Sequence, residues 1–222
     1  GSLGGFLGND RLNWSATFFR TDSDNDIVAL ASTIAGRGYY TNVPMTRRQG
    51  VDLTADYQGR GWSLYANYSY LDATYQFTGT LASPNNPNAD ADGNVLVTPG
   101  RHLPMSPANT IKAGGDVMVM DGFSVGAELV YTGSQYFDGD PSNLNSKLSG
   151  YAVVNLRAAY DITPEWQVFG LVDNVFDNHS ASYGTYFETD DTVGLLNPAL
   201  ADPRTLTLQQ PITFQLGVKF KL

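Results

Sequence analysis

Apolar and polar residues alternate along much of the chain, most clearly in the last segment, "PITFQLGVKFKL". A period of two is the signature of a β-strand with one apolar and one polar face. The apolar positions of this segment are Ile212, Phe214, Leu216, Val218, Phe220 and Leu222. The pattern therefore predicts a terminal strand whose apolar face is turned away from water.

Seven earlier segments show the same alternation. They are "RLNWSATFFR", "GVDLTADYQ", "WSLYANYSY", "NTIKAGGDVMV", "FSVGAELVY", "VVNLRAAYD" and "WQVFGLVDNVF". No long apolar stripe at helical spacing is present, and no apolar run approaches the ~20 residues of a transmembrane helix. We therefore predict an all-β fold of about eight antiparallel strands.

The connections between these segments have two very different lengths. Short turns are predicted at 58–61, 120–122 and 161–165, and they alternate with long polar loops at 21–49, 75–103, 135–150 and 178–209. Short turns at one end and long loops at the other are typical of a transmembrane, up-and-down β-barrel, with the turns in the periplasm and the loops outside the cell.

Aromatic residues mark the ends of the predicted strands. Trp62, Phe123 and Trp166 each follow a short turn, while Tyr57 and Tyr160 each precede one. Rings at one level are expected where a barrel meets the lipid headgroups. A soluble β-sandwich also has alternating strands, but it explains neither the ringed aromatics nor the asymmetric connections.

Composition removes several other classes of protein. The formal net charge is −9 and the few Lys and Arg residues are scattered, so nucleic acid is not expected as a partner. The chain has no cysteine, which leaves neither a disulfide framework nor a thiolate zinc site, and no cofactor is indicated. The opening "GSLGGFLGND" lacks the features of a signal peptide, which we expect to be absent or removed, and "GS" is typical of a cloning scar.

Six stretches, in order, resemble the TonB-dependent outer-membrane receptors. They are "NWSATFFRTDSDNDIV", "YYTNVPMTRRQGVDLTADYQ", "YSYLDATY", "GRHLPMSPANT", "LVDNVFDN" and "DPRTLTLQQPITFQLGVKF". Leu208 is a departure, since Pro is common at that place in the family. The siderophore and ferric-citrate receptors are the nearest subgroup.

The resemblance implies a location in the bacterial outer membrane, contact with its lipid, and a part in the uptake of an iron chelate or similar nutrient. Receptors of this family have about 22 strands, a plug domain inside the barrel and a TonB box. Residues 1–222 are then expected to be a single barrel domain that corresponds to the C-terminal eight strands, with plug and TonB box absent. On that interpretation the chain alone is not competent for energy-coupled transport.

The final eight residues, "QLGVKFKL", resemble the signal read by the barrel assembly machinery, which is therefore an expected partner. The signal positions are Gln215, Gly217, Phe220 and Leu222, although the family usually ends in Phe. Because unpaired strand edges are costly in lipid, the last strand is expected to pair with the first and close a narrow barrel.

The polar face of the predicted strands carries charges of both signs. They are Asp52, Asp56, Lys112, Asp116, Glu128, Arg157 and Lys219. In a narrow closed barrel they are expected to form ion pairs across the lumen, whereas in a parent receptor they would line a wide aqueous interior facing the plug.

Candidate ligand-binding residues lie in or beside the long loops. They are Arg101, His102, His179, Tyr183, Tyr186 and Arg204. The histidines have the chemistry to contact an iron chelate or haem, and the arginines and tyrosines an anionic siderophore, with simple solvent exposure as the alternative. The acidic runs "TDSDND" and "NADADGN" lack the closing Glu of a calcium loop, so no metal site is expected.

Two other functional classes remain open. A stand-alone, eight-stranded outer-membrane barrel of structural or adhesive type would bind surfaces through its loops. A lipocalin-type soluble barrel would need an apolar interior, which the charged polar face opposes. An enzyme is not expected, because the adjacency of His179 and Ser180 in sequence does not bring their side chains together.

Overall fold

The computed structural model describes residues 2–4, 10–32, 34, 37–187 and 202–221. The strands of this part of the chain are β1 (Ser2–Gly4), β2 (Arg11–Ala31), β3 (Gly38–Gly59), β4 (Trp62–Tyr75), β5 (Gly79–Ala82), β6 (Asn94–Val97), β7 (Asn109–Met120), β8 (Phe123–Thr132), β9 (Tyr151–Asp161), β10 (Trp166–Asp173), β11 (Ala181–Tyr186), β12 (Arg204–Leu208) and β13 (Thr213–Phe220). No helix among the described residues has the length and apolar character required to cross a membrane.

The principal sheet has nine strands in the order β1-β2-β3-β4-β7-β8-β9-β10-β13, and its neighbours pair antiparallel. All eight predicted segments are present, as the eight strands that follow β1 in this order. Two small hairpins, β5–β6 and β11–β12, lie within the predicted long loops. The predicted all-β, antiparallel meander is confirmed.

The expected closure of eight strands into a barrel is wrong for the described structure. In the principal sheet β13 pairs with β10 alone, and at the outer edge of β2 the described ladder joins Arg11–Asn13 to β1, with Ser2 opposite Asn13. Strands β2 and β13 form no ladder with each other in the described sheet. The sheet is an open section of wall bounded by β1 and β13.

The hairpin β2–β3 extends far beyond the rest of the wall. Strands β7 to β10 and β13 have 8 to 12 residues, near the length that spans a bilayer, whereas β2 and β3 have 21 and 22. At ~3.3 Å per residue these two reach ~70 Å, more than twice the ~30 Å hydrocarbon core. The predicted loop at 21–49 is therefore mostly strand, and it projects from the long-loop end.

A break in the alternation turns the apolar face of this hairpin inward. Val43 and Thr46 are both fully buried although they are three residues apart, so the period of two fails between them. Asp24 and Asp26 are paired with Met45 and Val43, and Asn25 between them has a φ of 52°. An irregularity of this kind redirects the side chains that follow. Val28 and Leu30 accordingly pack against the buried cluster that contains Val43.

The buried apolar residues lie mainly above the wall, in what we call the loop layer: the described residues of 21–49, 71–108, 133–150 and 174–210. One cluster consists of Val43, Ala73, Tyr75, Leu81, Val97 and Leu103, and a second of Phe137, Leu148 and Tyr186. The long connections are thus packed against one another as a folded layer.

Aromatic pairs line the short-turn end of the sheet, as predicted. The ring centroids lie 4.5 Å apart in Tyr57–Trp62, 6.4 Å in Phe123–Tyr160 and 4.8 Å in Trp166–Phe220. Between this row and the loop layer the apolar face is open, with Phe18, Phe214 and Leu216 among the most exposed side chains.

Candidate ligand-binding cavity in the loop layer

Several charged residues on the polar face of the wall pair within the sheet, either with the adjacent strand or across one intervening strand. Arg157 donates from Nε to Asp116 Oδ1 at 2.6 Å, and Lys112 Nζ lies 3.1 Å from Glu128 Oε2. The expectation of ion pairs across a narrow lumen is wrong, because the open sheet has no opposite wall within the described residues. Asp52 accepts a hydrogen bond from Ser69 at 2.6 Å, while Asp56 and Lys219 form no ion pair in the described chain.

Two glycines make room for this network. Tyr65 reaches across β7 and donates to Glu128 on β8, and a methyl group at Gly114 would lie 2.8 Å from the Tyr65 hydroxyl oxygen. Gly126 in the same way lies beneath the pair of Arg157 and Asp116. The polar face of the wall is therefore flat at these glycines. Most of the charges beside them are paired within the sheet.

Ion pairs also hold the projecting hairpin. Asp22 accepts from Arg47 Nε at 2.6 Å, and this hydrogen bond lowers the pKa of Asp22. Asp26 accepts from Thr46 at 2.5 Å and from Arg48 at 2.9 Å. Partial burial, which raises the pKa of Asp26, is outweighed by these donors, so its pKa lies below the ordinary value. Two aspartates of the acidic run "TDSDND" thus pair with arginines, and in the described residues no group of three or more metal-binding side chains occurs.

A cavity of about 550 Å³ opens where the hairpin, the ends of β4 and β5, the loop 135–150 and β11 meet. Its polar lining includes Arg37, Arg48, Tyr75, Asp138 and Tyr186. A volume of this size falls in the range that encloses a drug-sized ligand. It is the candidate site of the loop layer.

The two tyrosines of the cavity are almost completely buried. Tyr75 is 3% exposed and Tyr186 is 5% exposed. Burial and the charge of Asp138 raise the pKa of Tyr75, and burial raises the pKa of Tyr186 to about 12. Both phenols are therefore protonated hydrogen-bond donors at neutral pH.

Three of the predicted site residues come together at this place. Tyr186 lines the cavity, and Tyr183 on the same strand donates to Asp138 Oδ2 at 2.7 Å. Arg204 lies opposite Tyr186 in the β11–β12 register, but its guanidinium binds Asp202 at 2.5 Å and lowers the pKa of that carboxyl to about 2.

The other three lie elsewhere. The Arg101 carbonyl accepts from the Tyr75 N–H at 2.8 Å, while the His102 ring stacks on Tyr136 with its Nδ1 3.6 Å from Asp72. His179 Nε2 lies 3.2 Å from Asp177 Oδ2. The hydroxyl of Ser180 donates to Asn178 at 2.6 Å. The six candidates therefore do not form one site, and ligand contact by them stays a prediction.

Four of the five polar cavity residues named above were not predicted as site residues: Arg37, Arg48, Tyr75 and Asp138. Tyr75 had a usable signal, because it continues the two-residue period of Leu71 and Ala73 onto the face that the loops cover. Arg37 and Asp138 had none, because their positions depend on how separate loops pack.

The residues of the predicted assembly signal lie on β13. Gln215 donates to Asp173 at 3.3 Å, Phe220 packs on Trp166, and the ring of Phe169 lies directly over Gly217. Leu222 lies outside the described residues. Recognition by the assembly machinery stays a prediction.

An open antiparallel wall with an exposed apolar band, an aromatic row and a folded loop layer defines a section of an outer-membrane barrel. The model of the family "TonB dependent receptor-like, beta-barrel" matches residues 2–175. The chain belongs to this family, which places it in the bacterial outer membrane and confirms the resemblance found in the sequence.

Two relatives show the same relationship over most of the chain. The heme/hemopexin utilization protein C of Haemophilus influenzae (strain 86-028NP) is 25% identical over 185 residues, covering 78% of this chain and 23% of the relative. The ferric-pyoverdine BN7/BN8 receptor of Pseudomonas putida is 28% identical over 183 residues, covering 80% of this chain and 19% of the relative. The chain thus spans about a quarter or less of these proteins.

Solved structures agree on the fold. The siderophore receptor PiuA from Acinetobacter baumannii has a TM-score of 0.68 at 18% identity, covering 99% of this chain and 27% of the receptor. The ferric yersiniabactin uptake receptor FyuA from Yersinia pestis has a TM-score of 0.63 at 17% identity, covering 95% of this chain and 27% of the receptor. Alignment with about a quarter of each receptor explains the open sheet, because these strands correspond to one section of a larger wall.

Proposed function

We propose that the protein containing this chain takes up an iron chelate across the outer membrane, and that the chain supplies part of its barrel wall and extracellular face. The observation that carries this proposal is the folded loop layer, with a cavity of about 550 Å³, above a wall of receptor type. Relatives named as a pyoverdine receptor and a heme utilization protein support the chelate class. The role is that of a receptor and transporter, without enzymatic chemistry.

The wall and the loop layer have different tasks in this proposal. The polar face, with several of its charges paired within the sheet, lines the interior and borders the plug. The loop layer contacts the chelate from outside. Energy coupling depends on a plug and a TonB box, which we place outside residues 1–222.

Two further partners follow from the surface of the wall. The exposed apolar band, which includes Phe18, Phe214 and Leu216, contacts outer-membrane lipid. The last strand, with Gln215, Gly217 and Phe220, is the segment that the barrel assembly machinery recognises.

The experiment is an uptake assay in an iron-limited strain that lacks the receptor gene and carries it on a plasmid. Uptake of radioactive iron is measured from ferric citrate, ferric catecholates, ferric hydroxamates and heme. We expect restored uptake of at least one of these, and its loss when residues 24–45 of the hairpin are replaced by a short turn. Normal surface display of the shortened receptor is the control. If a correctly displayed receptor restores uptake of none of these chelates, the proposal is contradicted.

A further inference from the structure

One loop of the loop layer contacts three other parts of that layer. This central loop, residues 135–150, lies between β8 and β9, two strands of the wall. Gln135 and Leu148 exchange backbone hydrogen bonds at 3.1 and 2.8 Å and close the loop at its base. Phe137 and Leu148 are both buried and belong to the second apolar cluster. The central loop is therefore a structured element with its own hydrogen bonds and buried side chains.

The first contact joins the central loop to the β11–β12 hairpin. The Asp138 N–H donates to the Gly184 carbonyl at 2.9 Å, and the Asp138 carbonyl accepts from the Tyr186 N–H at 3.1 Å. The Tyr183 hydroxyl donates to the Asp138 carboxylate at 2.7 Å. The rings of Phe137 and Tyr186 pack with their centroids 5.4 Å apart. Backbone, side-chain and apolar contacts thus all connect the central loop to β11.

The second contact joins the central loop to the segment between β5 and β6. The Gly139 carbonyl accepts from Asn86 Nδ2 at 2.7 Å and from the Ser83 hydroxyl at 2.5 Å. Asn88 Nδ2 donates to Asn145 Oδ1 at 2.7 Å. Because Ser83 and Asn86 are buried, the hydrogen bonds at Gly139 are shielded from water.

The third contact joins the central loop to residues 98–108. The Asn143 side chain accepts from the His102 N–H at 2.5 Å and donates to the His102 carbonyl at 2.9 Å. On its other side this segment is attached to the wall, since the Leu103 N–H donates to the Ala73 carbonyl at 2.9 Å. Residues 98–108 are therefore held between β4 and the central loop.

The central loop is the hydrogen-bond partner that these three neighbours share. In the described chain no hydrogen bond joins the β11–β12 hairpin directly to residues 83–94 or 98–108. Proteins open locally in contiguous cooperative units, and the members of a connected hydrogen-bond network support one another. The contacts of the central loop therefore decide whether the three neighbours open singly or together.

We propose that the central loop makes the described loop layer one cooperative unit, which opens as a whole instead of loop by loop. An opening that starts at the β11–β12 hairpin then spreads to residues 83–94 and 98–108, because all three are held by the same loop. The layer uncovers the wall beneath it in one step. This inference goes beyond the proposed function and does not depend on the identity of the chelate.

The test is native-state hydrogen exchange on the purified complete receptor in detergent, without any chelate. Tyr183→Phe removes the hydroxyl that binds Asp138 and keeps the ring. Asn143→Gly removes the side chain that binds His102 and accommodates the positive φ of 54° at this position. Tyr40→Phe is the matched control, because Tyr40 lies on the β2–β3 hairpin and is 78% exposed.

We expect Tyr183→Phe to make exchange about fivefold faster in the β11–β12 hairpin, as for the loss of one partly exposed hydrogen bond. The same factor should appear in residues 83–94 and 98–108. Asn143→Gly should in turn make exchange faster in the hairpin, because a coupling between two sites is reciprocal. Strands β7 to β9 should keep the wild-type rate in both variants, and Tyr40→Phe should keep it in all segments.

Independent loops would give a different pattern. Faster exchange confined to the hairpin and the central loop in Tyr183→Phe, or to residues 98–108 and the central loop in Asn143→Gly, would overturn the proposal. Unchanged exchange in all three neighbours would overturn it as well. Iron uptake is not a readout of this experiment, so a failure of the cooperative unit is distinguishable from a failure of the proposed function, which only the uptake assay shows.

Discussion

Asn174 joins two segments of the chain through one buried side chain. It lies in the stretch "LVDNVFDN", is 3% exposed and has a φ of 51°. Its Nδ2 donates to the carbonyls of Asn178 at 3.0 Å and Gln210 at 2.9 Å, and its Oδ1 accepts the Asn178 N–H at 2.9 Å. Asparagine tolerates a positive φ better than most residues, so conformation and hydrogen bonding both favour it here. This residue fixes the path of the chain from β10 towards β13.

We predict that Asn174→Ala lowers the stability of the complete receptor by about 2 kcal/mol or more, because two carbonyls lose their donor and alanine opposes the positive φ. The measurement is the thermal midpoint of the folded band on unboiled gels. Asn174→Gly is the comparison, since it keeps the backbone conformation and loses only the hydrogen bonds. Equal midpoints for Asn174→Ala and the wild type would show that neighbouring groups satisfy the two carbonyls.

The alternation of individual residues decides which elements a single sequence can predict. The eight wall strands were readable because a strand with one face towards lipid must alternate, as in Trp62, Leu64 and Ala66. The upper half of the β2–β3 hairpin was not readable, because the irregularity at Asn25 and between Val43 and Thr46 breaks the period. Asp22 and Asp26, in the stretch predicted as a polar loop, are instead paired with arginines on the opposite strand.

A fully buried carboxylate, that of Asp140, connects two long loops. Asp140 accepts hydrogen bonds from Ser142 Oγ at 2.8 Å, Asn145 N at 3.1 Å and Asn86 Nδ2 at 3.4 Å. Asn145 also donates to Asn86 at 3.0 Å, so the loop 135–150 and the segment between β5 and β6 share one network. All three contacts to the Asp140 carboxylate are donors, and the group has no ion pair within the described chain. The carboxylate thus couples the two loops.

We predict that Asp140→Asn uncouples these loops, because the amide places a donor against existing donors. Hydrogen exchange should become faster in residues 83–94 and 135–150, with the wall strands unchanged. Asp121→Asn, in the short turn between β7 and β8, is the matched control at the opposite end of the sheet. If exchange became faster throughout the wall, or in neither loop, the Asp140 network would not be a local connection between the two loops.

The upper hairpin should respond to acid through Asp26. Its pKa is lowered in the folded state, so its stabilising contribution is complete above the ordinary value of 3.8 and is lost as the pH falls below it. We predict constant hydrogen-exchange protection of residues 26–31 and 38–46 from neutral pH to about pH 4, after correction for intrinsic exchange, and a decrease at lower pH. Asp26→Asn should show weaker protection without this pH dependence. A decrease that begins near pH 6 would point to a different titrating group.

The unpaired outer edges of the principal sheet decide whether this chain can form a closed barrel. Strand β13 has one partner in the described sheet, and its other edge exposes the N–H and C=O groups of a strand of 8 residues. Such groups cost several kcal/mol each in hydrocarbon, where water does not satisfy them. A section of a larger wall therefore remains open until its neighbouring strands are supplied, although its own hairpins are formed.

We predict that residues 1–222 refolded alone in detergent give no fast-migrating band on unboiled gels, whereas the complete receptor gives one. Addition of the remaining barrel strands as a separate chain should restore the band, because both edges then find partners. The same chain with β13 deleted is the control, since it should fail to assemble with those strands. A fast-migrating band from residues 1–222 alone would mean that β1 leaves the edge of β2 and β13 replaces it. The chain would then be a closed eight-stranded barrel, and its function would have to be sought in the loop layer alone.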